Sequence, residues 1–226
     1  MARPANPNLG QMLRDAARAE FAERGLRAVR VEDVTQRAGV AKGSFYMHYE
    51  SKEQLYEAIA RDFLDEVAAR LLGFRECACR GVGAEQMRAM IAMDVAFSDF
   101  LWENRDALRM VLEGAAGTSH AYLSDALVEL FAQHMRAVML DPSFVDQGAH
   151  PALDPDLVSD IVTGAVVMFA RRILREGSRP DFRRWSTQLH RVLAGGLFTP
   201  EVGGGLIACL DEIARDETFD QVRSAI

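Results

Sequence analysis

Residues 30–51 read RVEDVTQRAGVAKGSFYMHYES, and two short helical stripes lie on either side of a tight turn in this run. Val31, Val34 and Ala38 fall at i, i+3 and i+7, so they share one face of a helix, and Gly39 follows where such a helix stops. The chain restarts within three residues. Phe45 and Tyr49, four apart, form a second stripe, while Ser44, Tyr46, Met47 and His48 point elsewhere. The spacing predicts a helix-turn-helix, in which the first helix lies across a nucleic-acid backbone and the second enters the major groove.

The second helix has the wrong chemistry for a core element. Lys42 brings a cation, Gly43 a backbone open to close approach, Ser44 a hydroxyl, Tyr46 a phenol and His48 an imidazole. These groups hydrogen-bond to phosphates and base edges, and backbone N–H groups at a helix start favour an anion. Ser51-Lys52-Glu53-Gln54 comes next. Ser with Gln three residues on is a capping box, which predicts a new helix at Ser51 with Lys52 in its first turn. The helix dipole opposes a cation there, and an anionic partner would supply a reason for it. Helical hairpins with one polar face are also common in all-α proteins that bind no nucleic acid. Tyr46 and His48 alone suit an ordinary surface equally well.

The longer run distinguishes the two. From Leu9 to Leu72 the chain resembles the DNA-binding domain of the tetracycline-repressor (TetR) family of transcription regulators, most specifically over AGVAKGSFYMHYESKEQLY, Ala38 to Tyr56. The resemblance implies that Lys42, Ser44, Tyr46, His48 and Lys52 face DNA, with Tyr46, His48 and Lys52 chiefly on phosphates. The family usually opens its second helix with Thr or Ser as cap and phosphate contact. This chain has Arg30-Val31 there, and Arg30 can hold a phosphate by charge but cannot cap.

The 226 residues suffice for a large buried core, and 49% are hydrophobic without a run long enough to span a membrane. MARPANPNLGQ lacks the apolar centre of a signal peptide, and three unevenly spaced cysteines make no disulfide framework, so a cytoplasmic protein is expected. A net charge of −7 argues against nucleic acid until its distribution is considered. Residues 1–49 hold 8 Lys/Arg against 5 Asp/Glu, and the rest 18 against 28, so the basic excess coincides with the helix-turn-helix.

The remaining periodicity is helical throughout and predicts an all-α fold. A three-helix helix-turn-helix domain is expected over 1–50, a connecting helix over 51–74, and a ligand-binding and dimerisation domain over 75–226. Pro4 and Pro7 mark a mobile arm in which Arg3 is a minor candidate for a phosphate contact. Leu13, Ala17 and Phe21 predict a first helix ending at Gly25. Leu55, Ile59, Phe63, Val67 and Leu71 predict about six turns up to Gly73. Further helices are expected over about 84–102 and 105–112, then from a Thr118 or Ser119 cap to Leu140. Residues 141–150 read as a loop. Asp154-Pro155-Asp156 opens a helix that ends by Gly177, Pro180-Asp181 opens one to about Phe198, and a last follows the flexible Gly203-Gly204-Gly205.

Ile161, Ala165, Met168, Trp185, Leu189, Val192 and Gly196 form stripes with small neighbours, suited to a four-helix interface between two subunits. They fit the core of one subunit as well, although the resemblance favours a homodimer on a palindromic operator in double-stranded DNA, most often as a repressor. Seven of ten methionines follow residue 80, interleaved with aromatics. Met90, Phe97, Trp102, Met110, Phe131, His134 and Met168 are therefore candidates for surrounding a small apolar effector, with His120 and His134 as polar contacts; ordinary core is the competing reading. Cys77 and Cys79, about 200° apart on a helix, and the remote Cys209 leave a thiol- or metal-sensing regulator as an alternative. No phosphate loop, nucleophile elbow or zinc motif is present, so no catalytic residue, metal site or cofactor is expected. Asp94, Glu113 and His134 assemble into an acid-base site only on paper. A helical interaction module or enzyme that does not read DNA is the remaining alternative, favoured only by the acidic balance.

Overall fold

The structure, a computed structural model, describes residues 8–81, 83–149, 152–216 and Phe219. The arm with Arg3, Pro4 and Pro7 lies outside the described residues. Among those described there are eleven α-helices and no β-strand: α1 Leu9–Ala28, α2 Val31–Ala38, α3 Lys42–Tyr46, α4 Lys52–Ala78, α5 Ala84–Glu103, α6 Arg105–Arg109, α7 Tyr122–Met139, α8 Pro142–Val145, α9 Pro155–Ile173, α10 Phe182–Leu197 and α11 Pro200–Arg215. Met110–Gly114 forms a π-helical turn after α6. The chain forms two compact units, one of residues to Val67 with Asn104–Glu129, the other of Ala68–Glu103 with Leu130 onward.

In the first unit, Leu13, Ala17 and Phe21 are buried on α1 as their spacing predicts. Gly25 interrupts that helix at φ 74° and ψ 161°, yet helical turns resume to Ala28, because Leu26 is buried immediately after the break. The centre of the unit is Tyr56. Its ring meets Phe21 edge-on at 5.0 Å, and its hydroxyl donates to the carbonyl of Met110 in the π-helical turn. Gly114 closes that turn where a Cβ would lie 2.8 Å from the Tyr56 hydroxyl.

Helix α4 has 27 residues, about 40 Å of helix, and runs past the predicted stop at Gly73. A Cβ on Gly73 would lie 3.5 Å from the Met93 methyl, so this glycine marks a packing position, not an end.

In the second unit the expected loop at 141–150 contains α8. Asp141 accepts from Ser143 N–H at 3.0 Å and Pro142 opens the helix, a pairing that suits a helix start. Asp154 caps α9 as predicted, accepting from Asp156 and Leu157 N–H at 2.9 and 3.3 Å, and Asp181 caps α10 through Arg184 N–H at 2.9 Å. The three consecutive glycines expected to be flexible lie inside α11. Gly203 is buried where a Cβ would stand 2.5 Å from the Ala194 carbonyl, so its missing side chain lets α11 pack directly on α10.

Gly203→Ala is therefore expected to lower stability by about 1–3 kcal/mol through overpacking. Gly204→Ala, where a Cβ meets nothing within 4 Å, is expected to raise it by up to about 1 kcal/mol through helix propensity. Urea midpoints of the two variants measure this, and equal shifts would contradict the close approach.

Candidate nucleic-acid interface and apolar chamber

Helix α2 starts at Val31 without a side-chain cap from Arg30. Asp33 supplies the missing half, its carboxylate accepting Arg30 N–H at 2.8 Å, with the Arg24 guanidinium 3.1 Å away. The hydrogen bond from Arg30 N–H, then Arg24, holds the Asp33 carboxyl below its ordinary range. At the other end Gly39 takes φ 68°, and Val40 N–H donates to Thr35 at 3.0 Å, closing the turn. Helix α3 then presents five residues. Phe45 is fully buried, with the rings of Tyr46 and Tyr49 at 5.4 and 5.9 Å, while Lys42, Gly43, Tyr46, Met47 and His48 are exposed and Ser44 is half-buried.

Arg30 and this set share the first unit and are solvent-accessible to differing degrees, Tyr46 at 52%. Lys42 Nζ lies 2.5 Å from Glu32, which holds the ammonium protonated more firmly and the carboxylate ionised. An exposed pair of this kind contributes little to stability and exchanges readily for another anion. His48 lies over the start of α1, its Nδ1 3.6 Å from where a Gly10 Cβ would stand.

Lys52 departs from the expected arrangement. Its ammonium turns inward and donates to the carbonyls of Leu26 and Val29, at 2.8 and 2.6 Å, where α1 ends. The cation that the dipole disfavours at the start of α4 is thus held by two carbonyls at the end of α1, and no phosphate is needed to account for it. The predicted cap is present in a shifted form. Ser51 Oγ accepts Gln54 N–H at 3.1 Å, and the Gln54 side chain accepts from Glu50 N–H, one residue earlier than in the standard box.

The second unit contains two adjoining, partly open cavities of about 120 and 100 Å³. Met90 lines the first, and Phe97, Phe131 and His134 line the second. Three expected pocket residues line neither. Met110 is buried in the first unit beside Tyr56, Trp102 is half-buried at the end of α5, and Met168 is 57% exposed on α9. Trp185 and Leu189, expected on a subunit interface, line the chamber; the Trp185 ring meets Phe169 at 5.7 Å with a 38° tilt, beneath the Arg172 guanidinium. Ile161, Val192 and Gly196 are exposed and Ala165 is half-buried.

Sequence reasoning passed over the polar cluster in the chamber wall. Asp94 Oδ2 accepts from Ser186 Oγ at 2.5 Å and from His190 Nε2 at 2.8 Å. The signal was available, since an acid in the apolar stripe Met87, Met90, Ile91, Phe97 must find donors once buried. Ser186 donates to Asp94 rather than to His190, so the three do not form the Ser–His pair of acyl-transfer catalysis. Glu113 belongs to the first unit, whereas Asp94 and His134 belong to the second. His120 also belongs to the first, between Tyr56 and Tyr122. The thiols of Cys77 and Cys79 are pushed up chiefly by burial, which suppresses the reactive thiolate, and among the described residues no group of three metal-ligating side chains assembles.

His134 Nε2 is buried without a hydrogen-bond partner among the described residues, and burial, with Arg75 nearby, pushes its pKa down to about 4. The unfolded chain therefore binds more protons than the folded one between about pH 6.5 and 4, and stability falls as the pH drops through that window. His134→Gln is expected to lose less stability than the wild type between those pH values. Denaturant midpoints at both ends check this, and identical losses would contradict it.

Residues 13–59 match the bacterial regulatory proteins of the tetR family. The HTH-type transcriptional repressor KstR2 of Mycobacterium tuberculosis is 48% identical over 65 residues, 29% of this chain and 32% of that protein. The HTH-type transcriptional activator FasR of Mycolicibacterium smegmatis is 32% identical over 110 residues, 49% of this chain and 48% of that protein. These alignments thus span a third to a half of the relatives. The solved structure of the ketosteroid transcriptional regulator KstR2 of Mycobacterium tuberculosis is similar over 88% of this chain and 98% of that one, with 25% identity and a TM-score of 0.63. A gamma-butyrolactone receptor, at 20% identity and a TM-score of 0.63 over 90% of this chain and 94% of that one, shares the fold. With the helix-turn-helix geometry above, residues 13–59 form a DNA-binding domain of the tetR family of bacterial regulatory proteins, on a chain whose fold is similar to that of the KstR2 structure.

Proposed function

We propose that the protein is a homodimeric, effector-responsive transcription regulator, a repressor by its likeness to the repressor KstR2. The observation that carries the reading is the exposure of Lys42 and Tyr46 on α3, and of His48 in the turn after it, over the buried Phe45. Lys42, Ser44, Tyr46 and His48, with Arg30 and the backbone at Gly43, are its DNA contacts. Two such helices in a two-fold dimer lie about one DNA turn apart, ~34–36 Å, and demand a near-palindromic operator.

The dimer is supported by an unpartnered apolar stripe on α9, Leu157, Ile161, Gly164 and Met168, with Val192 and Gly196 exposed on α10. The functional division at residues 50 and 74 belongs to the same reading, as does a cytoplasmic location. Among the described residues no helix is long and apolar enough to cross a membrane. No enzymatic step is part of the proposal. The similar structure at 25% identity is that of a ketosteroid transcriptional regulator, which supports a small, largely apolar effector in the chamber.

Helices α4 and α7 each contribute residues to both compact units. Ligand entry that shifts either helix changes operator affinity. A coupling of about 1–3 kcal/mol corresponds to about 5- to 150-fold.

Lys42 and Lys52 separate reading from scaffolding. Lys42→Ala is expected to leave the thermal midpoint unchanged, weaken binding across sequences, and lower the salt slope by about one on a selected operator. Lys52→Ala strips two carbonyls of a charged donor and is expected to cost about 1–3 kcal/mol of stability. Fluorescence anisotropy over a salt series and urea unfolding read the two effects. An unchanged slope for Lys42→Ala would remove its assigned contact, and failure of the wild type to retain any DNA would remove the reading itself.

A further inference from the structure

Asp94 borders both cavities of the second unit, and its side chain keeps 20% of its surface accessible. Around it the walls are Phe74, Met135, Val166 and Leu189. Its two protein donors, Ser186 and His190, converge on one oxygen, Oδ2. A carboxylate only accepts, so His190 presents Nε2 as an N–H and the Ser186 proton is committed to Asp94. Oδ1 has no donor among the described residues. An acceptor left open against an apolar chamber gains more from an arriving donor than the same group in water.

The rest of the lining limits the other half of the recognition. Among the residues that line the two cavities there is no Lys or Arg. A ligand carboxylate would thus meet the charge of Asp94 in weakly screened surroundings with no guanidinium or ammonium to receive it.

We propose that the chamber takes an apolar molecule bearing a hydrogen-bond-donating head group, a hydroxyl or an amine, which Asp94 Oδ1 receives, and that it discriminates against carboxylates. The proposal rests on the effector-responsive reading above. Ser186 and His190 act as positioning residues, holding the carboxylate so that Oδ1 stays turned to the ligand. Met135 and Phe74, in the shared wall of the two cavities, adapt to the length of the apolar body.

The test is calorimetric titration of the full-length protein with three probes of one chain length, decanol, decylamine and decanoate, for the wild type and Asp94→Asn. The expected result is that decanol and decylamine bind at least about tenfold more tightly than decanoate, a difference of about 1.4 kcal/mol. Asp94→Asn is expected to weaken decylamine and strengthen decanoate. Should that variant fail to fold, the wild-type ranking decides alone. Decanoate binding as well as or better than the other two overturns the proposal, as does binding of none of the three. Operator release by each bound probe is read in parallel. The expected ranking without any change in DNA affinity supports the head-group assignment and removes the effector-responsive reading, whereas release by decanoate alone does the reverse.

Discussion

The hydrogen bond from the Tyr56 hydroxyl to the Met110 carbonyl is the constraint on which the first unit depends. Helix α3 has five residues, far below the length at which an isolated helix is stable, so its geometry is imposed by what it packs on. Phe45 fixes its inner face, and Tyr56 with Phe21 fixes the helices behind it. Two glycines permit that arrangement, since a side chain on Gly114 would strike the Tyr56 hydroxyl and one on Gly25 would crowd the Gly114 carbonyl at 3.1 Å. Burial pushes the Tyr56 phenol up from its ordinary value, so it stays a donor at any working pH.

On this scaffold the first unit divides its cations by task. Arg24 and Arg37 pair with Glu20, Glu23 and Asp33, and Lys52 closes the end of α1. Lys42 holds only an exposed carboxylate. A rigid support beneath adaptable surface groups is what a nucleic-acid reader needs, because contacts to phosphate and base edges depend on placement within fractions of an ångström. The second unit shows the opposite balance around its chamber, where methionines and aromatics form the walls and Asp94 is held by Ser186 and His190.

How much of this was legible follows from the kind of signal each residue gives. Phe45, Tyr49, Gly39 and the Asp154 cap were readable because helix periodicity and capping are local. Gly73 and Gly203 were misread as a stop and a flexible linker because their reason is a neighbour distant in sequence, Met93 in one case and the Ala194 carbonyl in the other. Lys52 was placed on phosphate by resemblance, and its two carbonyl partners lie 26 and 23 residues away. Composition gave the existence of a Met-rich chamber but not its membership. Met110 and Met168 have the right chemistry on the wrong faces, and Trp185 and Leu189 line the chamber from a helix assigned to subunit contact. Asp94 and His190, 96 residues apart, gave only the weak signal of polar residues in apolar stripes.

The most direct measurement of the central claim, that the exposed face of α3 reads DNA, is capture and sequencing of fragmented host genomic DNA at physiological salt. The wild type is compared with a Lys42→Ala/Tyr46→Ala variant of the same thermal midpoint. The account predicts one near-palindromic motif enriched by the wild type and lost in the variant. Equal enrichment by both proteins would contradict it.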